Sequence, residues 1–113
     1  MNITVLEKSD AVKAAALFNR YAESELVYKK LSDSDFTAQF ITDDANVIKI
    51  NLAAKAGDGS LVGFANGCIK HGVDIGYITF ILVDAPYRRQ GIARKLLTEL
   101  ETALDLAAPL SKY

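Results

Sequence analysis

The sequence predicts an α+β fold, a mostly antiparallel sheet flanked by helices, and three observations predict it. Between residues 47 and 83 the apolar residues recur with a period of two and are interrupted by turn signals, so successive strands should return as hairpins. On either side the period is helical: Ala14, Leu17, Phe18 and Tyr21 share one face, and Ala93, Leu96, Leu97, Leu100 and Leu104 share another. Finally, 113 residues, half of them apolar, suit one domain spanning 1–113 with no internal repeat or linker.

Taken in order, residues 2–6 alternate as a half-buried strand would, and Ser9 and Asp10 offer an N-cap ahead of a first helix. A second short helix should start at Ser32-Asp33-Ser34-Asp35, carry Phe36 and Phe40 on one face, and end at Thr42-Asp43-Asp44. From residue 47, Ile48, Ile50, Leu52 and Ala54 point one way while Val47, Lys49 and Asn51 point the other. Gly57-Asp58-Gly59 turns the chain into a strand from Ser60 to Lys70, where Gly63 and Gly67 mark a bulge or the close approach of another backbone. His71-Gly72-Val73 turns it again. Ile75 to Val83 is apolar on both faces, as in a central strand covered on each side, and Asp84-Ala85-Pro86 ends it. A last amphipathic helix should run from about Gln90 to Leu106, closed by Pro109.

Composition excludes several functions. A net charge of −1 lacks the basic surplus of a nucleic-acid binder, and no apolar run approaches the ~18 residues that span a bilayer. One cysteine, one histidine and no ligand spacing argue against a metal; Cys68 and His71 read as core and surface rather than nucleophile and base. The first ten residues lack the pattern of a signal peptide, so a cytoplasmic location is expected.

The chemistry concentrates in Tyr87-Arg88-Arg89-Gln90-Gly91-Ile92-Ala93-Arg94, between the last strand and the last helix. A helix start exposes unpaired backbone N–H groups at the positive end of its dipole, which suits a phosphate. Gly91 and Ala93 leave room for the anion, and Arg88, Arg89 and Arg94 supply charge-assisted hydrogen bonds. No Gly-Lys-Ser/Thr follows, as a P-loop would need, and the hairpin order does not suit a Rossmann unit.

Here the residues resemble the GNAT superfamily of acyl-CoA-dependent N-acetyltransferases. Arg88-x-x-Gly91-x-Ala93 matches its Q/R-x-x-G-x-G/A loop, preceded by the Ile81-Leu82-Val83-Asp84 strand end and followed by Leu96-Leu97-x-Glu99-Leu100-Glu101. The similarity covers residues 1–107 in element order and 74–104 in sequence detail. It implies a GNAT-like fold and acetyl-CoA as co-substrate, whose acetyl group passes to a primary amine by direct attack. It also implies that the amides of Arg89, Gln90, Gly91, Ile92, Ala93 and Arg94 hold the coenzyme pyrophosphate. Ile81, Leu82 and Val83 would pair with the pantetheine arm, and the Ile81 amide, set by a bulge, would be an oxyanion donor. The position of the family's basic Glu is Tyr77, the implied catalytic residue, with Asp74 and Thr79 behind it. The acceptor pocket would lie at Tyr21 to Phe40.

Family members continue past the last helix with further strands, so the resemblance implies a C-terminally truncated domain, the amino-terminal, coenzyme-binding portion. Tyr113, at a free terminus, is not carried over as the family's acidic Tyr. The strand Ile81–Val83 would have an open edge, to be covered by a second copy in a homodimer or by the rest of a longer, even tandem, protein. The rival reading is a non-catalytic acyl-CoA-binding or interaction module that keeps the loop without the catalytic groups.

Overall fold

The computed structural model describes residues 1–72 and 75–108. Four strands form a single antiparallel sheet in sequence order: β1 (Asn2–Val5), β2 (Val47–Lys55), β3 (Leu61–Lys70) and β4 (Gly76–Val83). Helix α1 (Ala11–Tyr21) and the short α2 (Asp33–Phe36) lie on one face, and α3 (Ile92–Ala107) lies on the other. The α+β reading therefore holds. Val73, Asp74, Pro109 and Tyr113, which the sequence reading had assigned to a turn, a candidate base, a helix stop and a free end, lie outside the described residues.

The first face is built on aromatic rings. Phe18 on α1 is fully buried, with ring centroids 5.4, 5.3 and 5.7 Å from Phe36, Phe40 and Phe80. Both helices on this face end in a π-helical turn, Ala22–Leu26 and Thr37–Ile41. In the second, the Thr42 N–H reaches back to the Thr37 carbonyl, and the Phe40 carbonyl accepts instead from Asn51 and Asn66 of the sheet, each at 3.0 Å. These buried amides are otherwise satisfied by each other at 2.7 Å, so the sheet is pinned to the end of the helical arm without an orphaned polar group. Ser32 caps α2 by accepting from Asp35 N–H, as its sequence suggests. Asp10 does not cap α1; its carboxylate turns to the Glu7 N–H and the Lys55 ammonium, both at 3.0 Å.

On the opposite face, Leu96, Leu100 and Leu104 of α3 recur every four residues and sit above glycines of the sheet. A Cβ on Gly63 would come within 3.2 Å of Leu96, one on Gly67 within 3.2 Å of Leu100, and one on Gly76 within 3.0 Å of Leu104. The glycines thus allow the helix to pack close, which is the close approach read from Gly63 and Gly67. A bulge is present as well, but its extra residue is Thr79 on β4, because Asn66 pairs with Phe80 and Gly67 with Ile78.

Strand β4 corrects one expectation. Helices cover it on both faces only from Phe80 to Val83, while Tyr77 and Ile78 are exposed, and among the described residues it is the edge of the sheet rather than its centre. The bulge also reverses its alternation. Phe80 and Leu82 face the aromatic layer, whereas Gly76, which an uninterrupted strand would place with them, faces Leu104 of α3.

Candidate functional site

The end of β4 is fixed by one carboxylate. Asp84 accepts from the Tyr21 hydroxyl at 2.6 Å, from the Arg20 guanidinium at 2.8 Å and from the Ala85 N–H at 3.1 Å, tying the strand end to α1. Burial alone pushes the Asp84 carboxyl up, but the Tyr21 hydrogen bond and Arg20 outweigh it, so it titrates below the usual carboxylate range. A folded pKa below the unfolded value, about 3.9, stabilises the fold above that value and ceases to do so as pH falls through the folded pKa. Asp84→Asn should therefore cost about 1–3 kcal/mol at pH 7, and the gap should be smaller at pH 3, below the unfolded pKa. Urea unfolding at the two pH values checks this; an equal gap at both would exclude an ionic role.

From Asp84 the chain makes a 3-10 turn, Ala85–Tyr87, then passes through Arg88 into two left-handed residues, Arg89 at φ 65° and Gly91 at φ 81°, before α3 begins at Ile92. A left-handed arginine is strained by about 1–3 kcal/mol, while glycine takes this conformation freely. The first intrahelical bond runs from Lys95 N–H to the Gly91 carbonyl at 3.1 Å. The N–H groups of Gly91, Ile92, Ala93 and Arg94 precede it and have no acceptor among the described residues.

The β4 edge opens beside this helix start. Asp84 N–H bonds to the Val62 carbonyl at 2.8 Å, and the register carries the same alternation back through Leu82 and Phe80. Leu82 therefore turns its backbone toward β3, while Ile81 and Val83 turn their N–H and C=O groups toward the side with no neighbouring strand among the described residues. Edge and helix start together border a groove of about 740 Å³, whose opposite wall is Glu25 and Leu26 of the first π-helical turn. That size falls within the range of small-molecule clefts.

Of the residues singled out in the sequence, Ile81, Leu82, Val83, Arg88, Arg89, Gly91, Ile92, Ala93 and Arg94 all line this groove. Gln90 is exposed on the same loop. Arg89 and Arg94 are exposed, and their guanidiniums have no ionic or hydrogen-bond partner among the described residues. Arg88 is engaged. It donates from Nε to the Val83 carbonyl at 2.8 Å, makes a bidentate pair with Glu25 at 2.9 and 2.8 Å, and lies 4.8 Å from the Tyr21 ring centroid. The hydrogen bonds with Glu25 hold the guanidinium pKa above its ordinary value and the Glu25 carboxyl below its own. Tyr77 is not brought to the groove: it lies beyond the bulge, 49% exposed, on the Phe80 side of the strand. Thr79 is the bulged residue itself.

Sequence reasoning missed Arg20, placed Tyr21 and Glu25 only in the span of an acceptor pocket, and did not foresee that Asp84 and Arg88 pair with them. Tyr21 and Asp84 stand 63 residues apart, as do Glu25 and Arg88, and no local pattern joins either pair.

A sequence model of the acetyltransferase (GNAT) family matches residues 14–107, which include most of α1, the whole hairpin sheet from β2, the Arg88–Arg94 loop and α3. The chain belongs to the GNAT family. Solved structures show the same fold. This GNAT chain superposes with a TM-score of 0.76 and 15% identity on a phosphinothricin acetyltransferase from Sinorhizobium meliloti in complex with AcCoA, covering 91% of this chain and 58% of that one. For an aminoglycoside 6'-N-acetyltransferase from Enterococcus faecium the TM-score is 0.72 at 20% identity, with 92% and 55% covered. A ribosomal-protein-alanine N-acetyltransferase from Brucella melitensis gives 0.68 at 27%, with 89% and 69% covered. The GNAT chain thus spans between about half and two thirds of the length of these proteins. No curated protein matches it significantly.

Proposed function

We propose that the groove binds the coenzyme of acetyl-CoA and that the chain is the coenzyme-binding part of an N-acetyltransferase. The observation that carries this reading is the meeting, in one groove, of four unpaired N–H groups at the start of α3 with the outward-facing amides of Ile81 and Val83. A diphosphate joined to an arm bearing amides matches that donor set. The phosphates suit the helix end and the Arg89 and Arg94 guanidiniums, with Gln90 as a further donor, and the arm suits the open edge as an added strand. Leu82, whose backbone bonds to β3, contributes wall rather than hydrogen bonds.

When bound, acetyl-CoA supplies an activated acetyl group, which an amine nitrogen accepts with departure of the thiolate and loss of one amine proton. The Ile81 N–H, on the open edge, is the donor suited to the developing oxyanion. An alkyl ammonium with a pKa of about 10 must lose a proton first, and Tyr77 is the residue the family pattern puts forward for relaying it through water. A cytoplasmic location and a second copy covering the β4 edge follow from the same reading.

A second reading, a non-catalytic acyl-CoA-binding module, is favoured by one observation: the carboxylate lining the groove, Glu25, is committed to Arg88, and Tyr77 lies outside it. Calorimetric titration with acetyl-CoA tests the shared premise, with binding in the micromolar range expected; no binding up to millimolar would sink both. Thiol release with a panel of primary amines, assayed on this chain and on the intact parent protein, then separates them, because turnover by either excludes the second and binding without turnover by the parent excludes the first.

A further inference from the structure

The Arg88 side chain crosses the groove. Its Nε–H holds the Val83 carbonyl on the β4 edge, and its two terminal nitrogens hold Glu25 on the opposite wall. The Val83 carbonyl is one of the outward-facing acceptors that an arm laid along β4 would use, so arm and guanidinium compete for one oxygen and for the space beside it. Each end of this bridge lies close to a residue in left-handed backbone. Val27, 91% exposed and β-branched, takes φ 58° two residues after Glu25, and Arg89 takes φ 65° directly after Arg88.

We propose that the Glu25–Arg88–Val83 bridge is a latch that closes the groove in the empty protein and must open before the pantetheine arm can pair with β4. The proposal rests on the coenzyme reading of the groove. It gives Arg88 a role opposite to that of an anion ligand: the guanidinium opposes binding, and entry of the arm releases Glu25 from the bridge. Because the pair is exposed, the opposition is modest and weakens with salt.

The test is calorimetric titration of coenzyme A into the intact chain, Arg88→Gln and Glu25→Ala at low salt, with the Arg88 Nε–H resonance followed by NMR in the absence of ligand. Folding of each variant is checked by its thermal transition. Both variants should bind coenzyme A about fivefold more tightly than the parent, the scale of a surface ion pair. The parent resonance should exchange slowly with solvent and shift in Glu25→Ala. Weaker binding by Arg88→Gln would make Arg88 an anion ligand and overturn the latch, as would unchanged affinity in Glu25→Ala. If none of the three binds, the coenzyme reading fails; the resonance then decides separately, since a shift in Glu25→Ala supports the closed bridge and no shift overturns it.

Discussion

Phe18→Ala is expected to remove about 3–5 kcal/mol of folding stability, the largest effect of any single truncation in this chain. Phe18 is fully buried, and the Phe36, Phe40 and Phe80 rings all centre within 5.7 Å of it, with Tyr28 at 5.6 Å. These rings come from α1, the loop at Tyr28, α2, the second π-helical turn and β4, so no one element can move in to fill the void without dragging another off the sheet. A domain of this size holds only about 5–15 kcal/mol in all, so the variant should unfold at a much lower urea concentration and lose near-ultraviolet dichroism first. The groove should suffer with it, because Glu25 and Leu26 are carried by the arm that this cluster seats. Phe18→Leu, which keeps most of the volume, should recover more than half of the loss. A cost below about 1 kcal/mol for Phe18→Ala would mean that the arm repacks and that the aromatic layer does not position the groove wall.

What could be read in advance follows a physical line. The glycines at 63 and 67, the Ser32 cap, the face of α1 and the Leu96, Leu100 and Leu104 stripe of α3 are local or periodic features present where the sequence suggests them. Ala93, expected on that stripe, is instead exposed, and Ile92 is buried in its place. From its own side chains the place of β4 in the sheet was not legible; only the resemblance implied the open edge at Ile81–Val83. Apolar side chains on both faces report the layers above and below a strand, whereas central or edge position depends on neighbours in the hydrogen-bonding direction, which side chains do not encode. The resemblance implied a bulge in this strand, but its place at Thr79 was not legible, and its consequence is large because the strand beyond it is turned over. Arg88 shows a third limit. Its charge is obvious from sequence, but whether a guanidinium faces a ligand or a carboxylate 63 residues away is a property of the folded chain alone.

Ala93→Glu should abolish coenzyme binding while leaving the fold as stable as before, or slightly more so. Ala93 is exposed in the first turn of α3, on the groove, with its N–H among the four that lack an acceptor. A carboxylate in a first helical turn interacts favourably with the helix dipole by about 0.3–1 kcal/mol, so unfolding should not become easier. Toward a diphosphate the same charge acts in reverse. It occupies the anion position, and at about 4 Å in a surface dielectric each like-charge contact costs about 4 kcal/mol before screening, enough for an affinity loss of 100-fold or more. Ala93→Gln, similar in size without the charge, should lose less, about tenfold, and the difference should shrink as salt rises. Thermal unfolding and titration with coenzyme A on the same samples give both quantities. The opposed signs make the outcome decisive: binding and stability falling together would point to a damaged helix start, whereas unchanged affinity with a folded protein would place the phosphates away from α3.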